Sequence, residues 1–411
     1  MLKSFCMTTT KLEVEQENRQ YSLRMPKGTD MAIHISVIWL ALFGLLMIAS
    51  ASMGLAVDRP LYLPLTLVKQ LIFLSFGYWA MRYLSAKFTL SFLSSSSFST
   101  WALGIGIALI AACFFPAAGG SRAWIRLPIS SVDVSIQPSE FAKVMLILII
   151  AAYCGDVKRK FKDSKQMIMR PGIFVIVYLV VVLVFQRDLG SMAVMFLISF
   201  ICFEIPTHPQ LRIWQRRFGW AFFVGVALAL FLLSPLGEGL IRLLPLQEYQ
   251  INRIFSSINP FTDQYNTGYQ LVNGLVSFAT GGWKGLGFGN SVRKYTRFPA
   301  ANTDFILAII VEELGIFGFL ACFIPYCVIV YQLFKYSSRI QSERAKIILI
   351  GVAMYIVIHC LFNIGGVTGL IPLTGVPLLI ISAGGSSTAS IMGAIGIAQA
   401  VILRYHKGEI V

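Results

Sequence analysis

Residues 281–315 read GGWKGLGFGNSVRKYTRFPAANTDFILAIIVEELG, in which a polar, glycine-rich segment leads through Asp304 into an apolar run. An apolar run of about 20 residues is long enough, as a helix, to cross the hydrocarbon core of a bilayer. Asp304 therefore lies where water meets lipid, and ionisable residues at such depths are costly and usually functional. We expect the chemistry of this chain at this junction.

The composition of the chain is that of a membrane protein. Of its 411 residues, 56% are hydrophobic and only 13% are charged, which differs from a soluble globular domain. The formal net charge is +15. Its Lys and Arg residues occur in short clusters between apolar runs rather than on one basic face, so they indicate membrane topology and no nucleic-acid partner.

Apolar runs of membrane-spanning length predict an all-α, polytopic fold of about ten transmembrane helices. An even number places both termini on one side, and 22 of the 34 Lys and Arg residues lie in the termini and the even-numbered loops, so that side is cytoplasmic. The first span ends in IASASMGLA, but it is too long for the core of a cleaved signal peptide and follows some thirty mostly polar residues. It is therefore expected to remain uncleaved. The predicted spans are 34–55, 61–83, 100–116, 137–154, 171–186, 190–205, 218–235, 304–333, 347–366 and 376–403. The predicted domains are a cytoplasmic tail, 1–33, and a transmembrane domain, 34–411, with an extracytoplasmic loop, 236–303, between helices 7 and 8.

Cysteine and histidine usage excludes several classes of site. Seven Cys and four His residues are dispersed, without a CxxC pair, so we predict neither a disulfide framework nor a metal site built from His and Cys. The glycine spacing in GGWKGLGFGN is similar to a dinucleotide-binding loop, but no βαβ unit surrounds it and it lies outside the cell. We therefore expect no organic cofactor. Its glycines instead permit the backbone to approach a polar ligand closely.

Ionisable residues near the span ends collect on the outer side of the predicted topology. A pocket with charges of both signs, open to the outer leaflet, suits an amphiphilic substrate with an anionic head group. These residues are Lys69, Arg122, Glu140, Lys143, Asp188 and Asp304.

The segment QPSEFAK, residues 137–143, predicts a helix start. Pro138 suits the first helical turn, and Glu140 and Lys143 share a helical face three residues apart. The two residues are either a helix-start carboxylate with its lysine partner, or a phosphate-binding Lys143 that Glu140 orients.

Further candidates lie in the outer loops. Arg122 and Arg126 flank Trp124, a combination that suits phosphate binding or simple anchoring at the membrane interface. Asp188 lies in a tight turn between two spans, where it either belongs to a binding site or ends one helix and starts the next. Lys284, Arg293 and Lys294 add positive charge beside the glycine-rich segment.

Asp304 itself has two interpretations. Asn302 or Thr303 could cap the following helix, which would make Asp304 a first-turn acid that complements the helix dipole. Alternatively it is a general base, for which burial must oppose the pKa-lowering effect of the helix terminus. Glu312 and Glu313 lie two turns deeper, where a carboxylate should be paired, protonated or lining a cavity.

Taken together, the motifs resemble the SEDS (shape, elongation, division and sporulation) proteins, bacterial polytopic peptidoglycan glycosyltransferases, and most of all the division-type FtsW branch. The resemblance extends nearly from end to end, and the order and spacing of the motifs make it specific. It rests on IASAS (48–52), GSRAWI (120–125), QPSEFAK (137–143), QRDLGS (186–191), NPF with GYQ (259–270), GGWKGLGFGNSVRK (281–294), NTDFILAIIVEELG (302–315) and NIGGVTGLIPLTGVPLLIISAGGSS (363–387).

The resemblance implies a ten-helix enzyme that polymerises lipid II into β-1,4 glycan strands at the outer face of the bacterial cytoplasmic membrane, during septal wall synthesis. Asp304 falls on the family's essential aspartate and is expected to take the proton from the acceptor sugar's 4-hydroxyl. Lys143 and Arg122 are expected to hold the leaving pyrophosphate. The implied substrate-binding residues are Arg122, Glu140, Lys143, Asp188, Lys284, Lys294, Ser382, Gly384 and Gly385.

The resemblance also implies partners: a class B penicillin-binding transpeptidase and other division proteins. Phosphate chemistry is compatible with a divalent cation, Mg²⁺ or Mn²⁺, although the sequence shows no ligand cluster for one. Two alternatives are a flippase for the lipid-linked precursor and a non-catalytic scaffold of the wall-synthesis complex. The chain departs from the family pattern at Arg187, where proline is usual, and at Ala300, Ala301, Leu379, Ile380 and Ala383.

Overall fold

The computed structural model is a helical bundle that confirms the predicted all-α, polytopic class. The predicted tail 1–33 lies mostly outside the residues that the structure describes, as do the centre of the basic loop 155–170 and parts of the loop 236–303. The described residues are 24–116, 121–129, 132–155, 164–232, 234, 237–241, 248–296 and 298–410.

Each predicted span corresponds to one described helix. The outer loop also contains helices of its own, α8 to α10. In chain order the helices are α1 (Met31–Asp58), α2 (Tyr62–Lys87), α3 (Ser96–Ala112), α4 (Pro138–Cys154), α5 (Ser164–Val180, continued by a π-helical turn, Val181–Phe185), α6 (Leu189–Glu204), α7 (Pro209–Leu232), α8 (Glu238–Ile241), α9 (Glu248–Ile258), α10 (Tyr269–Gly281), α11 (Ile306–Arg339), α12 (Glu343–Thr368) and α13 (Gly385–His406), with 3₁₀ turns at Leu90–Ser94, Pro260–Asp263 and Arg293–Tyr295.

The lengths of these helices establish a multi-pass membrane protein. Seven of the described helices are long and apolar enough to cross a bilayer: α1, α2, α5 with its π-helical turn, α7, α11, α12 and α13. The remaining three predicted spans, α3, α4 and α6, have 17, 17 and 16 residues. α4, α12 and α13 form the buried centre of the bundle, whereas α7 is largely exposed, as a helix that faces lipid should be.

Both ends of the described chain lie at the same end of the bundle. The Asp30 side chain caps α1, and its backbone N–H donates to Gln399 Oε1 in α13. Tyr336, near the end of α11, donates its hydroxyl to Asp30 Oδ2, and the Gly28 carbonyl contacts His406. This arrangement agrees with the predicted even number of spans, and the basic residues of this end make it the cytoplasmic side.

The structure differs from the predicted elements in three places. A short antiparallel hairpin, β1 (Ile125–Ile129) with β2 (Val132–Ile136), lies in the outer loop before α4, where no strand was predicted. The helix of the tenth predicted span, α13, begins at Gly385, so the first nine residues of the span predicted at 376–403 are not helical. The helix of the eighth predicted span, α11, is interrupted at Gly315, whose φ of 61° and ψ of −148° lie outside the helical region.

Candidate active site

A cavity of about 730 Å³ opens at the outer end of the bundle. It lies among the starts of α4, α6 and α13, the turn before α11, and the irregular segment that joins α12 to α13; Ala229 of α7 reaches it from one side. Six charged residues of both signs line it: Glu140, Lys143, Arg187, Asp188, Arg253 and Asp304. Four of these were candidates from the sequence, and the predicted mixed-charge outer pocket is therefore present.

Asp304 lies in the turn before α11, not in its first helical turn. No side chain caps α11, so the predicted capping role of Asn302 or Thr303 is wrong. Asn302 instead fixes this turn: its Nδ2 donates to Ser52 Oγ over 3.1 Å, and its carbonyl accepts from Ala383 N over 2.9 Å. Asn363 Nδ2 donates to the Asp304 carbonyl over 2.8 Å. The backbone of the turn is thus tied to three other parts of the chain.

The Asp304 carboxyl is enclosed by protein but faces the cavity. Burial raises its pKa from the ordinary 3.8 to about 6; the positive charge of Arg253 opposes this shift, and the negative charge of Asp188 adds to it. Asp304 Oδ2 and Arg253 Nη1 flank Gly375, since a Cβ built there would lie 3.6 Å from each. A carboxyl with this pKa can act as a base near neutral pH.

Lys143 and Glu140 form a buried ion pair at the inner wall of the cavity. Lys143 Nζ lies 2.7 Å from Glu140 Oε1, and both side chains are at most 2% exposed. Tyr355 donates its hydroxyl to Glu140 Oε2 over 2.8 Å, and Ser390 donates to the Glu140 carbonyl over 2.7 Å. The predicted partnership at the helix start is therefore present, and both residues also line the cavity. Phosphate binding by Lys143 stays a prediction.

His359 orients Lys143 from the other side. Its Nδ1 lies 3.3 Å from the Pro377 carbonyl, which can only accept, so Nδ1 carries the proton and Nε2 accepts from Lys143 Nζ over 3.1 Å. An ammonium group has three N–H donors, and Glu140 and His359 use two of them. The described residues offer no third hydrogen-bond partner, so one donor of Lys143 is available to a molecule in the cavity.

Asp188 joins two of the helix starts that line the cavity. Its Oδ1 caps α6 by accepting from Ser191 N over 2.9 Å, and its Oδ2 accepts from Gln137 Nε2 over 3.0 Å. Gln137 N in turn donates to Ser386 Oγ in α13 over 3.0 Å. The capping interpretation of Asp188 is thus confirmed. Asp188 also lines the cavity, and its role in binding stays a prediction.

Several predicted substrate-binding residues lie away from the cavity. The Arg122 side chain is exposed and does not line it, although its backbone N–H donates to the Gln186 carbonyl over 2.9 Å. Lys284 is exposed, whereas Lys294 is buried in an ion pair with Glu313.

Of the three predicted substrate-binding residues at the start of α13, one lines the cavity and two do not. Gly384 lines the cavity. Ser382 does not; its Oγ donates to the Thr303 carbonyl over 2.8 Å and so supports the turn that carries Asp304. Gly385 lies against α2, because a Cβ there would approach the Phe73 ring to 2.3 Å.

Sequence reasoning missed Arg253, His359, Tyr355 and Gln137. His359 had a usable signal, since it is an ionisable residue inside an apolar span. Arg253 had none, because no motif surrounds it in the outer loop.

Backbone strain coincides with the departures from the family pattern. Among the described residues that are not glycine, a positive φ occurs at Arg187 (57°), Ala300 (56°) and Ile380 (67°). All three positions were singled out from the sequence as unusual. Such dihedral angles cost free energy and persist only where the surrounding structure imposes them.

Comparison with known proteins gives consistent results. The model of the FtsW, RodA and SpoVE family, described as "Cell cycle protein", matches residues 30–407. The chain is 32% identical over 382 residues to a probable peptidoglycan glycosyltransferase FtsW of Bacillus subtilis (strain 168), covering 91% of this chain and 90% of the relative. The corresponding relative of Coxiella burnetii is 28% identical and covers 90% and 94%.

Two solved structures share the fold. A chain from a peptidoglycan synthase complex that coordinates polymerization and crosslinking superposes with a TM-score of 0.66 at 20% identity, covering 92% of this chain and 99% of that one. The crystal structure of Thermus thermophilus rod shape determining protein RodA gives a TM-score of 0.58 at 19% identity, covering 92% and 98%. The chain therefore belongs to the FtsW, RodA and SpoVE family of cell cycle proteins.

Proposed function

We propose that this protein is a peptidoglycan glycosyltransferase that polymerises lipid II into β-1,4 glycan strands. The observation that carries the proposal is the cavity at the outer end, in which a carboxyl with a pKa of about 6, Asp304, shares one space with Lys143, Arg187 and Arg253. A base beside several cations suits the attack of a hydroxyl on a sugar that leaves a pyrophosphate. The names of the relatives support the same activity.

The reaction requires one proton transfer and one substitution. Asp304 accepts the proton of the acceptor's 4-hydroxyl while that oxygen forms a bond to the donor's anomeric carbon. The bond from the anomeric carbon to the pyrophosphate oxygen breaks, and its electron pair leaves with the lipid pyrophosphate. Lys143 stabilises this charge through its available donor, and Arg187 and Arg253 add positive potential. Attack opposite the leaving group converts an α-linked donor into a β-linked product.

A divalent cation, Mg²⁺ or Mn²⁺, is also part of the proposal. No group of three or more His, Cys, Asp or Glu residues with metal-ligand geometry occurs in the part of the chain that the structure describes. Mg²⁺, however, is commonly held by one or two carboxylates together with substrate phosphates. Asp188, which lines the same cavity, fits that requirement and leaves Asp304 to act as the base. The ion would neutralise charge on the pyrophosphate, and loss of polymerisation on chelation, restored by Mg²⁺, tests its use.

The cellular setting is proposed from the family and the topology. The protein would act in the bacterial cytoplasmic membrane at the division septum, with a class B penicillin-binding transpeptidase and other division proteins. The curated FtsW relatives and the structural likeness to a chain of a synthase complex support this setting. Co-purification with the cognate transpeptidase tests the first partnership, and a fluorescent fusion that fails to collect at the septum would contradict the location.

Polymerisation of fluorescent lipid II tests the catalytic assignment. Wild type, Asp304→Ala and Asp304→Asn are compared, each folded and bound to the transpeptidase; the asparagine variant keeps the shape of the side chain but cannot act as a base. Glycan ladders from wild type alone are expected. Ladders from both variants would exclude Asp304 as the base. An intact wild-type complex without ladders would favour the flippase or the scaffold.

A further inference from the structure

A second cluster of buried charges lies outside the cavity, at the interruption of α11. Lys294 Nζ is 2.9 Å from Glu313 Oε1, and neither side chain is exposed. Ser50 of α1 donates its hydroxyl to Glu313 Oε1 over 2.6 Å. Next to this pair, Ser291 donates to Glu312 Oε2 over 2.5 Å. The cluster therefore joins α1, α11 and the glycine-rich outer segment, residues 281–294, at one buried point.

Lys294 has no donor left for a substrate. Its ammonium group contacts three oxygen atoms: Gly289 O at 2.6 Å, Glu313 Oε1 at 2.9 Å and Ser50 Oγ at 3.1 Å. These account for the three N–H donors of a lysine. α1 also approaches so closely that a Cβ on Gly54 would lie 1.6 Å from the Lys294 carbonyl. The substrate-binding role predicted for Lys294 is therefore unsuited to its surroundings.

The carboxylate of Glu313 organises the glycine-rich segment. Its Oε2 accepts from Gly289 N over 3.0 Å, and Oε1 accepts from Ser291 N over 3.4 Å. Just before the interruption at Gly315, two carbonyls of α11 accept hydrogen bonds from the segment: Leu286 N donates to Glu312 O and Gly287 N to Glu313 O, each over 2.9 Å. Backbone and side-chain contacts thus hold the segment on the short first part of α11.

That first part of α11 is what carries Asp304. It extends from Ile306 to the interruption at Gly315, and Asp304 lies two residues before its start. At 1.5 Å per residue, Glu313 lies roughly 13 Å from Asp304 along the axis. The Asp304 turn is anchored at one end through Asn302, and the far end of this short helix is anchored through Glu313.

We propose that Lys294 and Glu313 are positioning residues that hold the short first part of α11, and with it Asp304, in place against α1. The proposal rests on the proposed function for its kinetic consequence. Loss of the pair should misplace the base without removing any group that contacts the substrate, and a displacement of about 1 Å can cost up to about a hundredfold in rate.

Three variants test the pair. Lys294→Met and Glu313→Gln each leave one partner unmatched, whereas the double variant Lys294→Met with Glu313→Leu removes both charges and avoids a buried, unpaired ion. Lys87→Met, at an exposed position at the end of α2, is the matched control for loss of a lysine charge. Each protein is assayed as the complex with its transpeptidase, after its unfolding temperature has been shown to exceed the assay temperature.

The expected result is a fall in kcat of about tenfold to a hundredfold in the double variant, with KM for lipid II within about twofold of wild type. A raised KM with unchanged kcat would mean that Lys294 binds substrate, and it would overturn the proposal. Unchanged kcat in a folded double variant would also overturn it. A merely structural role would lower the amount of active protein and leave the kcat of the remaining active protein unchanged.

Hydrogen–deuterium exchange separates this proposal from the proposed function. Thr303 N and Phe305 N both donate to the Ala300 carbonyl, over 3.0 and 3.1 Å. The positioning role predicts faster exchange of these amides in the double variant than in Lys87→Met, whether or not wild type polymerises lipid II. Equal exchange in the two proteins would overturn the positioning role, and absence of wild-type polymerisation would overturn only the function.

Discussion

Polymerisation should decline as the pH falls through about 6, because the base must be deprotonated and burial raises the pKa of Asp304 to about 6 from the ordinary 3.8. A raised pKa means that the carboxyl keeps its proton to a higher pH, so activity is present above this value and lost below it. At pH 8 nearly every carboxyl would be ionised, and at pH 5 about one in ten. The rate at saturating lipid II should therefore fall about tenfold between these values.

Two substitutions should move the midpoint of this profile in opposite directions. Arg253 lowers the pKa of Asp304, so Arg253→Leu should move the midpoint to higher pH. Asp188 raises that pKa, so Asp188→Asn should move the midpoint to lower pH. Asparagine retains an oxygen that can cap α6. Both residues line the cavity and both changes will lower the maximum rate, so the midpoints are the quantity to compare.

The assay is the initial rate of fluorescent glycan formation from pH 5 to pH 9 at constant ionic strength. Glu409→Gln, an exposed change at the cytoplasmic end, controls for general effects of removing a carboxylate. Protein incubated at pH 5 and returned to pH 8 must recover its rate, which excludes unfolding. A flat profile down to pH 5, or midpoints that both move in one direction, would refute the assignment of Asp304 as a buried base coupled to these two charges.

Three further predictions concern single positions. His359→Leu removes an acceptor from the buried Lys143 and should lower kcat about tenfold, whereas His359→Gln, which keeps an acceptor, should lose less. Arg187→Pro should destabilise the protein by about 1–3 kcal/mol, because proline cannot adopt the φ of 57° found there. Gly54→Ala should destabilise it by about 1–3 kcal/mol, because the new methyl group would overlap the Lys294 carbonyl. Lipid II kinetics measure the first, and unfolding in detergent measures the other two.

Matched variants give these predictions their controls. Gly104→Ala adds a methyl group to α3 where nothing lies within 4 Å, and it should leave stability unchanged or slightly raised. Equal unfolding temperatures for Gly54→Ala and Gly104→Ala would contradict the close approach of α1 to the outer segment. An Arg187→Pro protein as stable as wild type would show that the turn before α6 adopts another backbone. Equal losses in the two His359 variants would remove its role as an acceptor.

The helices were predictable because a bilayer imposes a minimum length of apolar residues on each span. The interruption at Gly315 was not, since one glycine within an apolar run is compatible with a continuous helix, and only the carbonyl partners in the outer segment fix the break. The hairpin that begins at Ile125 was missed because two five-residue strands between membrane helices give little periodic signal.

A site residue could be predicted from the sequence where the neighbouring residues determine the surroundings of its side chain. Asp304 stands at a change from polar to apolar sequence, and that change alone places it at the membrane boundary. Lys294 was predicted to bind substrate because it is a cationic residue beside a glycine-rich segment. The local sequence does not show that it pairs with a buried carboxylate on the following helix. Arg253 lies in an outer-loop helix with no recognisable motif, so only the folded chain brings it beside Asp304.

The interruption at Gly315 also sets an order of events during biosynthesis. Residues 286–291 depend on hydrogen bonds with α11, so the segment cannot take its final form while it emerges ahead of that helix. Membrane insertion of α11 must come first, and only then do the carbonyls of Glu312 and Glu313 become available to the segment. The outer segment is therefore synthesised before the helix on which it folds, and this part of the molecule matures only after the eighth span has entered the bilayer.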